Sequence, residues 1–316
     1  MAFYIARRLG QALFVLWAAF SVSFLILYVL PSDPVTIMLN KGEQSMVDQA
    51  QIDLLRAEYF LDQPFLMQYA HALSRAVAFD LGNSIQSGKP VVALLAEAVP
   101  QTALLAAISL ILSVVVGVGL ALAASVARSA RWQSLLFSLP SVGVSLPTFW
   151  IGLLLLQAFS FNLPLFPAIG NDGWRSLVLP AITLSVPTGA KLAQVLARSL
   201  QGVWRQPFID AIRSRGLTRL RLLFVHVLPN AAIPVLSLTG VLTGNLLAGS
   251  VVTETVFSRD GIGRLAEGAV HTQDIPVVQG VVVLAAIVFV AVNLLVDLLY
   301  PVLDPRIRHL KSGGAA

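Results

Sequence analysis

The chain of 316 residues contains no cysteine, and only 12% of its side chains are charged. The first absence excludes a disulfide framework, a thiolate nucleophile and a thiolate metal site. The second excludes an ordinary soluble domain, in which about a quarter of the residues are charged. Histidine is scarce as well. His71, His226, His271 and His309 stand apart, and none has the spacing of a metal-binding helix, so no metal site is expected. A phosphate cradle for ATP is missing: Gly88-Lys89 is followed by Pro90, and Asn83 stands where the leading glycine belongs. There is no Gly-x-Ser-x-Gly elbow. No apolar run carries paired aspartates or a serine–histidine combination fit for hydrolysis. The chain is therefore expected to bind no cofactor of its own and to catalyse nothing.

What is present is apolar length. Hydrophobic residues make up 57% of the chain and the mean hydropathy is +0.81, which identifies an integral membrane protein. Six runs approach the roughly 20 helical residues needed to cross a hydrocarbon core: Leu9–Leu30, Thr102–Ala127, Leu135–Phe159, Leu177–Ala197, Ile233–Thr253 and Val277–Tyr300. The fourth is the poorest, because Pro180, Pro187, Gly189 and Lys191 interrupt it. The first follows Arg7 and Arg8 like a signal peptide, but its length and the lack of a small-x-small cleavage site predict a retained helix. This gives an all-α chain of six transmembrane helices. Residues 1–30 form an amino-terminal helix, 31–100 a small external cap, 101–303 a five-helix core with a loop over 198–232, and 304–316 a tail.

Charge orients these spans. Arg7 and Arg8, then Arg128 and Arg131, then Arg198, Arg205, Arg213, Arg215, Arg219 and Arg221, and finally Arg306, Arg308 and Lys311 fall on one side of a six-span chain. Positive residues mark the cytoplasmic side. Both termini are thus expected in the cytoplasm of a bacterial inner-membrane protein. Membrane orientation accounts for the net charge of +5, and no nucleic-acid partner is expected. The acid-rich loop 31–100 is then external, with short helices expected over Gln51–Tyr59 and Phe65–Ala78 around the breaker Leu61-Asp62-Gln63-Pro64. It suits a structural collar and a docking vestibule equally.

Polar groups inside the runs are few. Lys191 is expected to snorkel, and Asn293 and Asp297 share a helix face near the basic tail. Asn245, Gln157, Gln194 and Glu254 are the pathway candidates. In the last external loop Asp260, Gly261, Gly263 and Asp274 are candidates for a gate or docking turn, with an ordinary surface turn as the alternative. An ion-coupled transporter would need a charged or carbonyl-rich site near mid-membrane, and these runs offer almost none. Energy must then enter from elsewhere. The stretch Pro207–Pro234 is the port, since Trp204–Arg215 reads as a short helix with Phe208, Ile209 and Ile212 on one side and Gly216 as its turn. Taken alone, this helix suits a groove on a soluble partner or anionic membrane lipid equally well.

The spacing Asp210-Ala211-Ile212-x-x-x-Gly216, followed by His226-Val227-Leu228-Pro229, resembles the EAA motif of permease subunits of ATP-binding-cassette importers. The extension through Asn230, Ala231 and Pro234 is similar to the dipeptide/oligopeptide/nickel branch. So are Pro31-Ser32-Asp33-Pro34, Asp80-Leu81-Gly82-x-Ser84, Glu254-x-x-Phe257, Gly261-x-Gly263, Asp274-x-Pro276 and Asp304-Pro305-Arg306, in order along the chain. The chain departs from the branch at Asp210 (usually glutamate), Ile212 (alanine) and Asp260 (proline). The resemblance implies a type I importer fold that forms half of a translocation pathway. Its expected partners are a second, homologous permease (a heterodimer being favoured), two cytoplasmic ATP-binding subunits that hold ATP and magnesium, and an external substrate-binding protein. It makes Phe208, Ile209, Asp210, Ala211, Ile212, Arg213, Arg215 and Gly216 the ATPase-coupling residues. His226, Leu228, Pro229 and Asn230 close the motif. Peptides, nickel and metal chelates are all open as solutes, and an ion-coupled secondary transporter is the alternative reading.

Overall fold

The computed structural model describes residues 2–29 and 62–303. Among them helices account for nearly everything, and the extended pairing is an isolated bridge between Asn83 and Pro90. In chain order the helices are α1 (Ala2–Val29), α2 (Phe65–Val77), α3 (Val91–Val126), α4 (Ala130–Ser145), α5 (Thr148–Leu156) and α6 (Arg175–Trp204). They continue with α7 (Pro207–Arg213), α8 (Arg219–Leu222), α9 (Leu228–Ala231), α10 (Ile233–Val256), α11 (Ile262–His271) and α12 (Ile275–Leu303). Wider π-helical turns extend α5 over Gln157–Asn162 and α8 over Leu223–Val227. The helix expected over Gln51–Tyr59, Leu61, the Pro31–Pro34 motif, the tail 304–316 and the side chains of Asn293 and Asp297 lie outside the described residues.

Two packing units divide the chain, one of residues 1–101 and 260–290, the other of 102–259 and 291–316. In the first, α2 covers α1 through aromatic edges: Tyr69 lies 5.4 Å from Phe24, and Phe65 5.6 Å from Phe24, centroid to centroid. The Ser21 hydroxyl meets the Tyr69 hydroxyl at 2.7 Å. The start of α3 (Val91, Leu95) packs with Ala269, Val277 and Val281. Asp274 staples this unit. Its buried carboxylate accepts from the Ser84 hydroxyl at 2.5 Å and from the Ile85 and Gln86 amides at 3.1 Å each. At the surface Arg75 donates to Asp80 at 2.8 Å, and this guanidinium, with the Gly82 amide, holds the Asp80 carboxyl below its ordinary pKa. The stability this adds is complete above the usual carboxylate range and is lost as pH falls through the lowered value. Solvent screening keeps it small.

The second unit is organised by α6. The apolar stretch of α6 is 72% buried, against 17 to 29% for the other spans, and α4, α5, α9 and α10 all pack against it. The poorest run in the sequence is thus the interior helix. Small residues let its neighbours close in. A Cβ on Gly117 of α3 would stand 2.6 Å from the Gly189 carbonyl, and one on Gly143 of α4 would stand 2.9 Å from the Ala190 Cβ. This is how helices associate where lipid removes the hydrophobic drive. Hydroxyls inside α6 are spent on its own turns, as when Thr183 donates to the Leu179 carbonyl and Thr188 to that of Leu184.

The third run is not one straight helix, as Leu135–Phe159 had suggested. It bends by 97° between Ser145 and Thr148. Pro147 has no amide hydrogen and forces Leu146 into an extended conformation (ψ 130°), which ends α4. The two halves nonetheless meet α6 in the reverse order of its residues. Phe137 packs near the carboxyl end of α6, Ser141 meets Gln194, Gly143 meets Ala190, Gly152 meets Thr183, and Leu156 packs with Leu179. Ser125, at the end of α3, is bonded to Trp204, at the end of α6, so the chain crosses and returns between them. Counted as one broken span, the bent pair brings the spans among the described residues to six.

Gly117→Ala should force α3 and α6 apart and destabilise the protein by about 1–3 kcal/mol. Gly119→Ala, with open space around its Cβ, should be neutral or slightly stabilising. Melting temperatures of the two variants in one detergent check this pair.

Candidate functional site

α6 ends at Trp204, and Arg205 and Gln206 break the chain before Pro207 opens α7. The short helix is therefore three residues shorter at its start than the sequence suggested. Pro207 suits the first helical position because its missing amide hydrogen has no partner there anyway. Asp210 lies in the first turn of α7 and Arg213 in its last, both favourable to the helix dipole. They form a long, exposed pair at 3.8 Å, which is worth little.

The faces of α7 differ from the expectation. Ile209 is fully buried in the cluster that holds Leu200, Val203, Leu222, Leu223 and Val227, and Ile212 packs on that cluster. Ile209 anchors α7 to its own chain and has no surface left for a partner, while Ile212, half-buried, supports the same anchor. Phe208, Asp210, Ala211, Arg213, Arg215 and Gly216 are exposed. Gly216 has a φ of +81°, and the space where a Cβ would stand is open to 4 Å, so its requirement is conformational and not steric crowding. Thr218 then caps α8 by accepting from the Arg221 amide at 3.4 Å.

The root of α7 is tied down twice. The Trp204 indole donates to the Ser125 hydroxyl at 2.9 Å, and Arg219 donates to the Ser125 carbonyl at 2.9 Å while lying 5.9 Å from the Trp204 ring centroid. Behind it, Pro229 cannot donate into the preceding turn, which widens to π geometry over Leu223–Val227. The Asn230 side chain donates to the His226 carbonyl at 2.7 Å. His226, Pro229 and Asn230 thus shape the backbone, while Leu228 packs partly buried on the same cluster as Ile209.

The pathway candidates are not gathered into one place. Gln157 and Asn245 are exposed on this chain, Gln157 donating to Asn162 at 3.0 Å. Gln194 lines a cavity of about 370 Å³ and donates to Ser141 at 3.4 Å. Glu254 is buried and accepts from the buried Thr102 hydroxyl at 2.6 Å. Of the outer candidates, Asp260 is exposed and pairs with Arg264 at 3.5 Å. Gly261 is an extended cap and the buried Gly263 lies in the first turn of α11. Asp274, turned inward onto Ser84, offers no docking surface.

Arg259 carried no signal of its own in the sequence. It is only 1% exposed and donates to the Gly170 carbonyl (3.1 Å), the Ser176 carbonyl (3.1 Å) and the Ser176 hydroxyl (3.0 Å). The clue lay at Pro180: lacking an amide hydrogen, it leaves the Ser176 carbonyl four residues back without a helical donor.

Residues 113–309 match the family described as binding-protein-dependent transport system inner membrane component, and residues 1–106 match the amino-terminal family of the same membrane component. A protein named as a putative peptide transport system permease in Brucella abortus is 34% identical over 313 residues, covering 96% of this chain and 98% of the relative. The glutathione transport system permease protein GsiC of Escherichia coli is 34% identical over 307 residues, covering 97% and 99%. The chain belongs to this family. It is a permease subunit of an ABC importer, a transport component and not an enzyme, and nothing favours the ion-coupled alternative. Two solved structures share its fold. The MetNI methionine ABC transporter, in an inward-facing conformation, matches with a TM-score of 0.59 at 17% identity over 67% of this permease and 96% of that chain. An amino acid ABC transporter solved with histidines matches at 0.54 and 18%, over 66% and 94%.

The permease's α7 can be tested for anchor and contact separately. Ile209→Ala should cost about 2–5 kcal/mol and lower the melting temperature. Phe208→Ala should change it little.

Proposed function

We propose that this permease imports peptides or closely related small solutes and that α7 is its coupling helix, seated in a cleft of a cytoplasmic ATPase. The observation that carries the coupling reading is the division of α7. Ile209 and Ile212 fix it to the core, while Phe208, Asp210 and Ala211 are presented outward on a rigid mount. A helix held this way transmits displacement instead of absorbing it. ATP and magnesium act in the partner ATPases. Closure of an ATPase pair draws α7 and its counterpart in a second, homologous permease together and shifts the spans between two packings. An external binding protein delivers the solute. Both termini lie in the cytoplasm, on the side of Arg128, Arg131 and the α6–α8 arginines. The solute class rests on the relatives named for peptide and glutathione transport; nickel and metal chelates have no such support.

Reconstitution of this permease with its neighbouring permease, ATPases and binding protein in liposomes checks the whole reading. Labelled peptide should accumulate with ATP and with no ion gradient. Uptake that follows a proton or sodium gradient without ATP would refute it, and ATP-driven uptake of another solute only would refute the peptide assignment. In the same liposomes Gly216→Val should abolish uptake, since a β-branched residue resists the left-handed conformation. Gly216→Asn should keep most of it.

A further inference from the structure

Behind α7 lies a recess of about 240 Å³ whose walls come from the end of α3, the start of α4, the end of α6, and α7 and α8. That volume is below the roughly 300–1,000 Å³ of pockets that enclose drug-sized ligands, and suits a single charged group. Three guanidinium groups line it, from Arg205, Arg213 and Arg219, and among the described residues no acid does. The nearest acid in sequence, Asp210, reaches Arg213 only at 3.8 Å and is itself exposed. Three like charges around one recess repel each other, and the walls of a recess screen them less than open water does.

The recess is also built. Arg219 is held by the Ser125 carbonyl and the Trp204 ring, so its fork is fixed before any ligand arrives. Gln133 and Gln201 add neutral polar side chains, and Phe137 and Leu200 form an apolar wall. Arg219 is thus preset, while Arg205 and Arg213 are exposed side chains that close on a ligand from its sides; guanidinium groups match the tetrahedral oxygens of phosphate in charge and geometry.

We propose that this recess binds a phosphate group, carried either by an anionic phospholipid headgroup or by a soluble phosphate. Bound there, the phosphate bridges α7 through Arg213 to α8 through Arg219 and to the end of α6 through Arg205. It stiffens the mount of the short helix. That consequence for transport rests on the coupling reading above, whereas binding itself does not.

The full chain in phosphatidylcholine nanodiscs supplies the test. One arm titrates inorganic phosphate and pyrophosphate and follows thermal stability. The other adds phosphatidylglycerol to the nanodisc and counts retained anionic lipid by native mass spectrometry. Binding in the first arm identifies a soluble phosphate, and retention in the second alone identifies a headgroup. In either case Arg205→Gln with Arg219→Gln should weaken binding about tenfold or more, the loss expected for charge-assisted hydrogen bonds. Arg221→Gln, which removes a charge outside the recess, should leave it nearly unchanged. Should the double variant fold poorly, Arg205→Gln alone serves, since that exposed side chain carries no packing. Absence of binding in both arms, or an equal loss in Arg221→Gln, overturns the proposal.

Discussion

The close approach of α3 and α4 to α6 is the constraint on which the second packing unit depends. In lipid, apolar surface gains nothing by leaving one hydrocarbon for another, so association must come from contact between backbones. Gly117 and Gly189 provide that contact for α3, and Gly143 and Ala190 provide it for α4. Each pair leaves no room for a further carbon. Larger residues would hold the helices apart and leave α6, with its buried threonines and serines, against hydrocarbon. The prolines of α6 belong to the same arrangement. They make the run a poor membrane helix by itself, and that is tolerable because other helices surround it.

This central helix also continues into α7 without a flexible joint. α6 continues past the end of its apolar stretch to Trp204, where the indole and Arg219 are both fastened to Ser125 of α3. α7 follows after two residues and buries Ile209 in the cluster that contains Leu196, Leu200 and Val203 of α6. A push on α7 is therefore a push on the helix against which α4, α5, α9 and α10 pack. Coupling between a soluble motor and a membrane pathway needs a discrete two-state element, and a rigid α6–α7 unit is the natural carrier.

Much of this was legible in the sequence. The apolar runs located the spans found among the described residues. The spacing of Asp210, Gly216, Leu228 and Pro229 pointed to the family that the comparisons show. What was hidden shares one cause, namely that hydropathy counts residues and does not see which neighbour each one meets. Leu177–Ala197 looked weakest because Pro180, Pro187, Gly189 and Lys191 interrupt it, yet Gly189, with Ala190 beside it, lets α3 and α4 close on it. Ile209 and Ile212 read as a partner's handhold, and packing against Leu222, Leu223 and Val227 turned them inward. The bend at Pro147 was readable from the rule for residues that precede proline, but the length of the run on both sides of it suggested a single helix.

The same distinction applies to the polar groups. Glu254, Asp274 and Arg259 are charges within or beside spans, where an ionisable group is a functional candidate by default. In the structure each is buried and engaged with its own chain: Glu254 with Thr102, Asp274 with Ser84 and two amides, Arg259 with the carbonyls of Gly170 and Ser176. Removing one partner from such a group leaves a buried charge unsatisfied, which costs far more than the bond contributes. Their role is to hold helix ends and loops in register. Of the pathway candidates, the two that are exposed on this chain, Gln157 and Asn245, are neutral. On the proposed reading, a conduit lined by such groups would discriminate little by itself, and selectivity would fall to the protein that delivers the solute.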